Sequence, residues 1–171
     1  MLICYRCFRN GPDICHALDR TTCTSLKTLK FIFSADSEEV SSFRDMEHLW
    51  LESCISASTY LLVTHRHTLR ALRVVRFVMD VDGAGSLVLN TLLHATQEGR
   101  AMWRSLEAAL MDIRTLTRVE VVVRDYCGRL NEERRNLLRV LVEVGLAALI
   151  ESHGATRDEF FHFSCSTKRP M

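Results

Sequence analysis

The chain has 171 residues, of which 47% are hydrophobic and 25% are charged, and its 22 Lys and Arg against 21 Asp and Glu give a net charge of +1. This length and composition are typical of one globular domain and exclude an intrinsically disordered chain. The balanced charge excludes a large overall field, so we expect neither nucleic acid nor an anionic membrane as the partner.

The first 23 residues, which we expect to form a separate N-terminal segment, carry four of the seven cysteines. Arg6 and Arg9 interrupt the opening apolar residues, which argues against a secretory signal, and no run of about 18 apolar residues follows that would span a membrane. An odd number of cysteines without a signal indicates reduced thiols in an intracellular protein. We therefore expect the cytoplasm or the nucleus as its location.

The cysteines of this segment contain half of a zinc-binding pattern. Cys4 and Cys7 have the C-x2-C spacing that supplies two tetrahedral ligands, whereas Cys15 and Cys23 are eight residues apart instead of forming a second close pair. Free thiols are the favoured interpretation, and we expect no metal or other cofactor.

A pattern of apolar residues recurs through residues 24–165, which we expect to form one domain. TSLKTLKFIF at 24–33 has the spacing L-x-x-L-x-F, and similar triplets are Met46, Leu49, Leu51; Leu69, Leu72, Val74; and Leu116, Val119, Val121. The middle residues are separated by 20, 23 and 47 positions. The first two steps match the leucine-rich repeat period of about 20–29 residues, and the last is close to twice that period.

This repetition predicts strands at 29–33, 48–52, 71–76 and 118–123, a prediction that the β-branched and aromatic content supports. Such a strand buries its apolar face only by stacking against neighbours. The predicted fold is therefore an α/β leucine-rich-repeat-like solenoid fragment, with parallel strands alternating with helices.

Helices are expected in four segments: 54–67, after Ser86, 102–113 and from Asn131 to Gly154. The last has the clearest signals, since Asn131 is a good N-cap, two glutamates follow it near the positive end of the helix dipole, and Gly154 is a candidate C-cap. A short strand is expected at 159–165, followed by a frayed tail at 166–171.

The outward-facing residues of the predicted strands form our candidate protein-binding face: Lys30, His48, Trp50, Arg73, Arg118 and Glu120. Trp50 would lie between Lys30 and Arg73, in a position for cation–π contacts and typical of a binding hot spot. The alternative is that the terminal segment covers Trp50 and buries it.

These patterns favour a non-enzymatic domain that binds another protein. The alternative is a small intracellular α/β enzyme or zinc-binding domain with a site built from scattered residues, although no G-x-S-x-G, phosphate-binding loop or H-E-x-x-H motif is present. Nucleic-acid binding is a third option, because basic residues at 66, 70, 73 and 76 surround one strand, but they do not share a face.

The strand motif TLRALRVVRF, the Trp-containing helix MWRSLEAAL and the next L-x-x-V-x-V strand resemble the leucine-rich-repeat-like region of fungal F-box proteins. The matching residues are His65, Thr68, Leu69, Leu72 and Val74 in the strand motif, and Trp103 and Leu106 in the helix motif. The resemblance covers residues 24–125 and does not include an F-box. It implies a ubiquitin-ligase adaptor that recruits a substrate, with ligase subunits or that substrate as protein partners.

Overall fold

The structure is a computed structural model that describes residues 2–7, 25–34, 47–81, 97–125, 128 and 130–167. For 2–7, 34, 47–53, 81, 97–100, 155 and 167 the description is limited to the backbone. The elements in chain order are β1 (Leu2–Cys7), β2 (Thr28–Ser34), α1 (Glu47–Thr64), β3 (Val74–Val81), α2 (Gln97–Met111), β4 (Arg118–Asp125), α3 (Glu132–Gly145), α4 (Ala147–Glu151), a 3-10 turn (Gly154–Thr156), α5 (Arg157–Phe160) and β5 (Phe161–Thr167).

The strands form one parallel sheet in the order β1-β2-β3-β4-β5, so that each strand lies beside its neighbour in sequence. The helices α1, α2 and α3 pack on one face of this sheet, since residues of all three belong to the same buried cluster as the strands. The prediction of an α/β fold with parallel strands alternating with helices is confirmed.

The core lies between this face and the helices. Alternate strand residues such as Leu29, Val75 and Val119 are fully buried and belong to one cluster with helical residues such as Leu61 and Leu110. Aromatic rings of β2 and β3 stack inside it, with the ring centres of Phe31 and Phe77 5.3 Å apart. Burial of one strand face against helices is the main source of stability for such a sheet.

The same backbone hydrogen-bond pattern is present at the first residues of β3 and β4. The carbonyl oxygen of Lys27 accepts hydrogen bonds from the backbone N–H groups of Arg73 and Val74 at 2.9 and 3.0 Å. The carbonyl oxygen of Arg73 in turn accepts from Thr117 and Arg118 at 2.8 and 3.0 Å. The register of β3 and of β4 is therefore fixed by hydrogen bonds to the carbonyl group of the residue just before the neighbouring strand.

Residues 48–52 lie inside α1, so the predicted strand at this position is wrong. The apolar residues that continue from it are spaced for a helix, with Cys54, Ile55, Leu61 and Leu62 all buried. From β2 to β5, neighbouring strands are instead 46 residues apart from Lys30 to Arg76, 44 from Arg76 to Glu120 and 42 from Glu120 to His162, whereas the step from β1 to β2 is 26 residues. The predicted steps of 20 and 23 residues are wrong because they count residues 48–52, which are helical, as a strand.

Helix α3 begins as predicted, because the Asn131 side-chain oxygen accepts a hydrogen bond from the Arg134 N–H at 2.9 Å. It ends at Gly145 and not at Gly154. The indole of Trp103 in α2 packs so close that a Cβ at Gly145 would lie 2.8 Å from Trp103 Cδ2. Gly154 lies beyond α4, with a positive φ of 46°.

The other predicted elements have mixed outcomes. The helix expected at 54–67 is the later part of α1, the one at 102–113 is most of α2, and the strand expected at 159–165 is β5, shifted by two residues. The helix expected after Ser86 and the tail from 168 onward lie outside the described residues. No described helix is both long enough and apolar enough to span a membrane.

Candidate binding face of the sheet

The side of the sheet opposite the core is here called the outer face, and its side chains line up in rows across β2 to β5. The rows are Thr28, Val74, Arg118; Lys30, Arg76, Glu120, His162; Ile32, Val78, Val122, Ser164; and Asp80, Arg124, Ser166. As far as they are described, these residues lie outside the core cluster. The outer face therefore combines one largely apolar row with charged rows on both sides.

Glu120 is the centre of a three-residue ion network. Its Oε2 accepts a hydrogen bond from Arg76 Nε, and its Oε1 lies 2.8 Å from Arg118 Nε. The Glu120 side chain is 8% exposed, whereas those of Arg76 and Arg118 are 43% and 45% exposed. One nearly buried carboxylate thus holds two arginines whose outer ends face solvent.

Asp80 and Arg124 form a second, more closed pair. Arg124 Nε and Nη2 donate to Asp80 Oδ1 and Oδ2 at 2.5 and 2.7 Å. This two-bond arrangement uses both carboxylate oxygens and fixes the guanidinium plane. The two opposite charges therefore cancel on the outer face.

The apolar row is only partly accessible. Ile32 is 8% exposed and Val78 is 2% exposed, so both are already buried within the chain. Val122 and Ser164 are half-buried. A partner on this face would meet Arg76, Arg118 and the β4–β5 side of the sheet.

The structure places three of the six predicted site residues, Lys30, Arg118 and Glu120, on the outer face. Arg73 is exposed but lies in the turn before β3, and Arg76 takes its place beside Lys30. The predicted triplet Leu69, Leu72, Val74 was out of register, because the residues equivalent to Leu26, Leu29 and Phe31 are Leu72, Val75 and Phe77.

His48 and Trp50 lie in α1 and not in the sheet, so the predicted strand positions of both are wrong, including that of Trp50 between Lys30 and Arg73. Their side chains are outside the described part, and the burial of Trp50 stays a prediction.

Sequence reasoning missed Arg76, Asp80 and Arg124 as outer-face residues. A signal was present: with β3 and β4 aligned at a spacing of 44, Arg76 falls opposite Glu120 and Asp80 falls opposite Arg124. Opposite charges on the same face of adjacent strands are expected to pair.

A second basic cluster, here called the turn groove, lies at the edge where β3 and β4 begin. Arg66, His67, Arg70 and Arg114 line a cavity of about 500 Å³ together with Asp112. These side chains lie in the turns that follow α1 and α2, beyond the last turn of each helix.

Ser152 and His153 are neighbours at the end of α4, with Ser152 Oγ 3.1 Å from His153 Nδ1. Ser152 Oγ donates to the Leu149 carbonyl at 2.7 Å, and His153 stacks on Phe160 with ring centres 3.4 Å apart. His153 Nδ1 lies 2.9 Å from the same Leu149 carbonyl oxygen. Both side chains stabilise the end of α4.

Cys165 lies on the core side of β5. Burial raises the pKa of its thiol, Arg135 opposes this shift and Asp125 adds to it. A thiol with a raised pKa is a poor nucleophile at neutral pH, because little thiolate forms.

Among the described residues, no three His, Cys, Asp or Glu side chains are placed to share a metal ion. The zinc candidates are not tested by this finding. Cys4 and Cys7 lie in β1, which is described by its backbone alone, and Cys15 and Cys23 lie outside the described residues.

Comparison of the chain with protein-family models, with curated proteins and with solved structures finds no match in any of the three. The resemblance to the repeat region of fungal F-box proteins therefore stays a prediction.

Proposed function

We propose that this chain is a non-enzymatic protein-binding domain of the leucine-rich-repeat-like solenoid type, which contacts its partner through the outer face. The observation that carries this proposal is the division of the sheet: one face belongs to the helical core, and the other presents charged rows whose arginines are nearly half exposed. The steps of 46, 44 and 42 residues between strands support a repeating unit of one strand and one crossover.

The geometry suits recognition because the outer face is already ordered. Neighbouring strands lie about 4.8 Å apart, so the side chains of one row form a regular array on a rigid backbone. Holding these side chains in place before binding reduces the entropy that association must overcome. The ion network around Glu120 restrains two of them further.

The narrower role of a ubiquitin-ligase adaptor rests on the sequence resemblance alone. Its test is co-purification of the full chain with ligase scaffold subunits. Recovery of those subunits supports the adaptor role, whereas their absence leaves a free-standing protein-binding domain.

Proximity labelling with matched charge reversals tests the proposed face. Arg118→Glu alters the outer face, and Arg139→Glu makes the same change on α3, where Arg139 Nε lies 3.8 Å from Glu143 Oε1. We expect a set of labelled proteins that is lost with Arg118→Glu and kept with Arg139→Glu. Identical sets for both variants would place the partner away from the outer face.

A further inference from the structure

We propose that the partner segment bound by the outer face is an acidic stretch of protein, whose carboxylates are held by Arg76 and Arg118. This inference rests on the proposed function and specifies the chemistry of its partner. The first support is the contact that each of the two arginines makes with Glu120. Each contacts Glu120 through Nε, and both side chains are nearly half exposed, so their terminal Nη nitrogens can donate to a second carboxylate.

The charge balance of the outer face favours an acidic partner. Glu120 carries one negative charge between two guanidinium groups, which leaves the network with a net charge of +1. Lys30 lies next to Arg76 in the same row and adds to this excess, and Asp80 is neutralised by Arg124. The excess is local, since the whole chain has a net charge of only +1.

An acidic peptide fits this face better than a nucleic acid does. Single-stranded nucleic acids bind where aromatic side chains stack on the bases between basic residues. The described outer-face residues include no Phe, Tyr or Trp.

The turn groove provides a matched control. It is a second described cluster of exposed arginines away from the outer face, and its Arg70 and Arg114 are exposed like Arg76 and Arg118, or more so. The double variants Arg76→Gln/Arg118→Gln and Arg70→Gln/Arg114→Gln remove the same formal charge from two different places. A difference in peptide affinity between the two double variants is therefore due to the position of the arginines and not to the overall charge.

The experiment is a selection of random displayed peptides on the full chain, followed by fluorescence anisotropy with the enriched peptides. We expect peptides rich in Asp and Glu. Their affinity should fall at least about tenfold with Arg76→Gln/Arg118→Gln and less than about twofold with Arg70→Gln/Arg114→Gln. It should also weaken as the ionic strength rises from about 0.05 M to about 0.3 M.

Folding must be controlled, because Glu120 is nearly buried and loses its charged partners in the first double variant. The triple variant Arg76→Gln/Glu120→Gln/Arg118→Gln replaces the whole network by neutral amides, so that no unpaired charge is left at the nearly buried position 120. We expect the same loss of acidic-peptide binding in this variant, with the circular dichroism spectrum unchanged.

Three results would contradict the proposal in distinguishable ways. Enrichment of non-acidic peptides that still lose affinity with Arg76→Gln/Arg118→Gln overturns the acidic partner and keeps the outer face as a protein-binding site. Enriched peptides that depend on the turn groove, or on neither site, overturn both. Equal competition by a single-stranded oligonucleotide and an acidic peptide shows a general anion site and overturns the restriction to protein.

Discussion

Arg76 and Glu120 lie directly beside each other on β3 and β4, 44 residues apart in sequence, and an ion pair joins Arg76 Nε to Glu120 Oε2. The separation equals the length of one strand and its crossover. The contact therefore links two successive strand–crossover units on the face away from the core.

The Glu120 network predicts a non-additive pair of substitutions. Arg76→Ala alone should lower the free energy of unfolding by about 1 kcal/mol, because Arg118 still pairs with Glu120. Arg76→Ala/Arg118→Ala should cost about 3 kcal/mol, since a nearly buried carboxylate is then left without either arginine. Urea denaturation of both singles and the double measures this. Simple additivity would show that Glu120 is solvated in the folded protein.

Gly145 predicts a packing constraint between α2 and α3. Gly145→Ala should destabilise the fold by about 1–3 kcal/mol, because the new Cβ would lie 2.8 Å from Trp103 Cδ2. Thermal unfolding followed by circular dichroism measures the loss. Trp103→Leu in the same chain should reduce the effect of Gly145→Ala, and an unchanged cost in that background would exclude Trp103 as its source.

Asn131 predicts a capping contribution at the start of α3. Asn131→Ala should lower stability by about 1 kcal/mol, because the Arg134 N–H loses its acceptor at 2.9 Å. Asn136→Ala is the matched control, an exposed Asn within the same helix, and should be neutral or slightly stabilising. Equal effects at both positions would indicate that helix propensity and not the cap is responsible.

Cys165 predicts slow alkylation and a dependence of stability on alkaline pH. Because burial raises the pKa of its thiol above the ordinary 9.0, the folded state keeps the proton longer than the unfolded state. Its contribution is therefore fully present below about pH 9 and decreases as the pH rises towards the folded-state pKa. Cys165→Ala should lessen the fall in stability above pH 9. Residue-resolved mass spectrometry after iodoacetamide treatment should show much slower labelling of Cys165 in the folded than in the unfolded chain, and equal rates would contradict its burial.

Part of the candidate site could be predicted from sequence patterns. Lys30, Arg118 and Glu120 were placed on the outer face because strict alternation in 28–33 and 118–123 fixes which side chains point away from the core. The sequence predicts Arg73 instead of Arg76 on the outer face because two apolar triplets overlap in this segment. The first is Leu69, Leu72, Val74, and the second is Leu72, Val75, Phe77. The hydrogen bonds from Arg73 and Val74 to the Lys27 carbonyl select the second.

Residues 48–52 could not be assigned from sequence for a related reason. Leucines at 49 and 51 fit a buried strand or one part of an amphipathic helix, and a short apolar run does not distinguish the two. Burial of Cys54, Ile55, Leu61 and Leu62 in one core cluster places the whole segment in α1.

The sequence by itself determined the local features of this protein: alternating strands around Leu29 and Val119, the Asn131 cap and the amphipathic α2. These depend on residues a few positions apart, where side-chain direction and hydrogen bonding are set by the backbone. Only the tertiary structure decided that Arg76 meets Glu120, that Trp103 packs against Gly145 at the end of α3 and that one face of the sheet carries the ion network. Such contacts join residues about 40 or more positions apart, and they form when neighbouring strands pair and bury one common face.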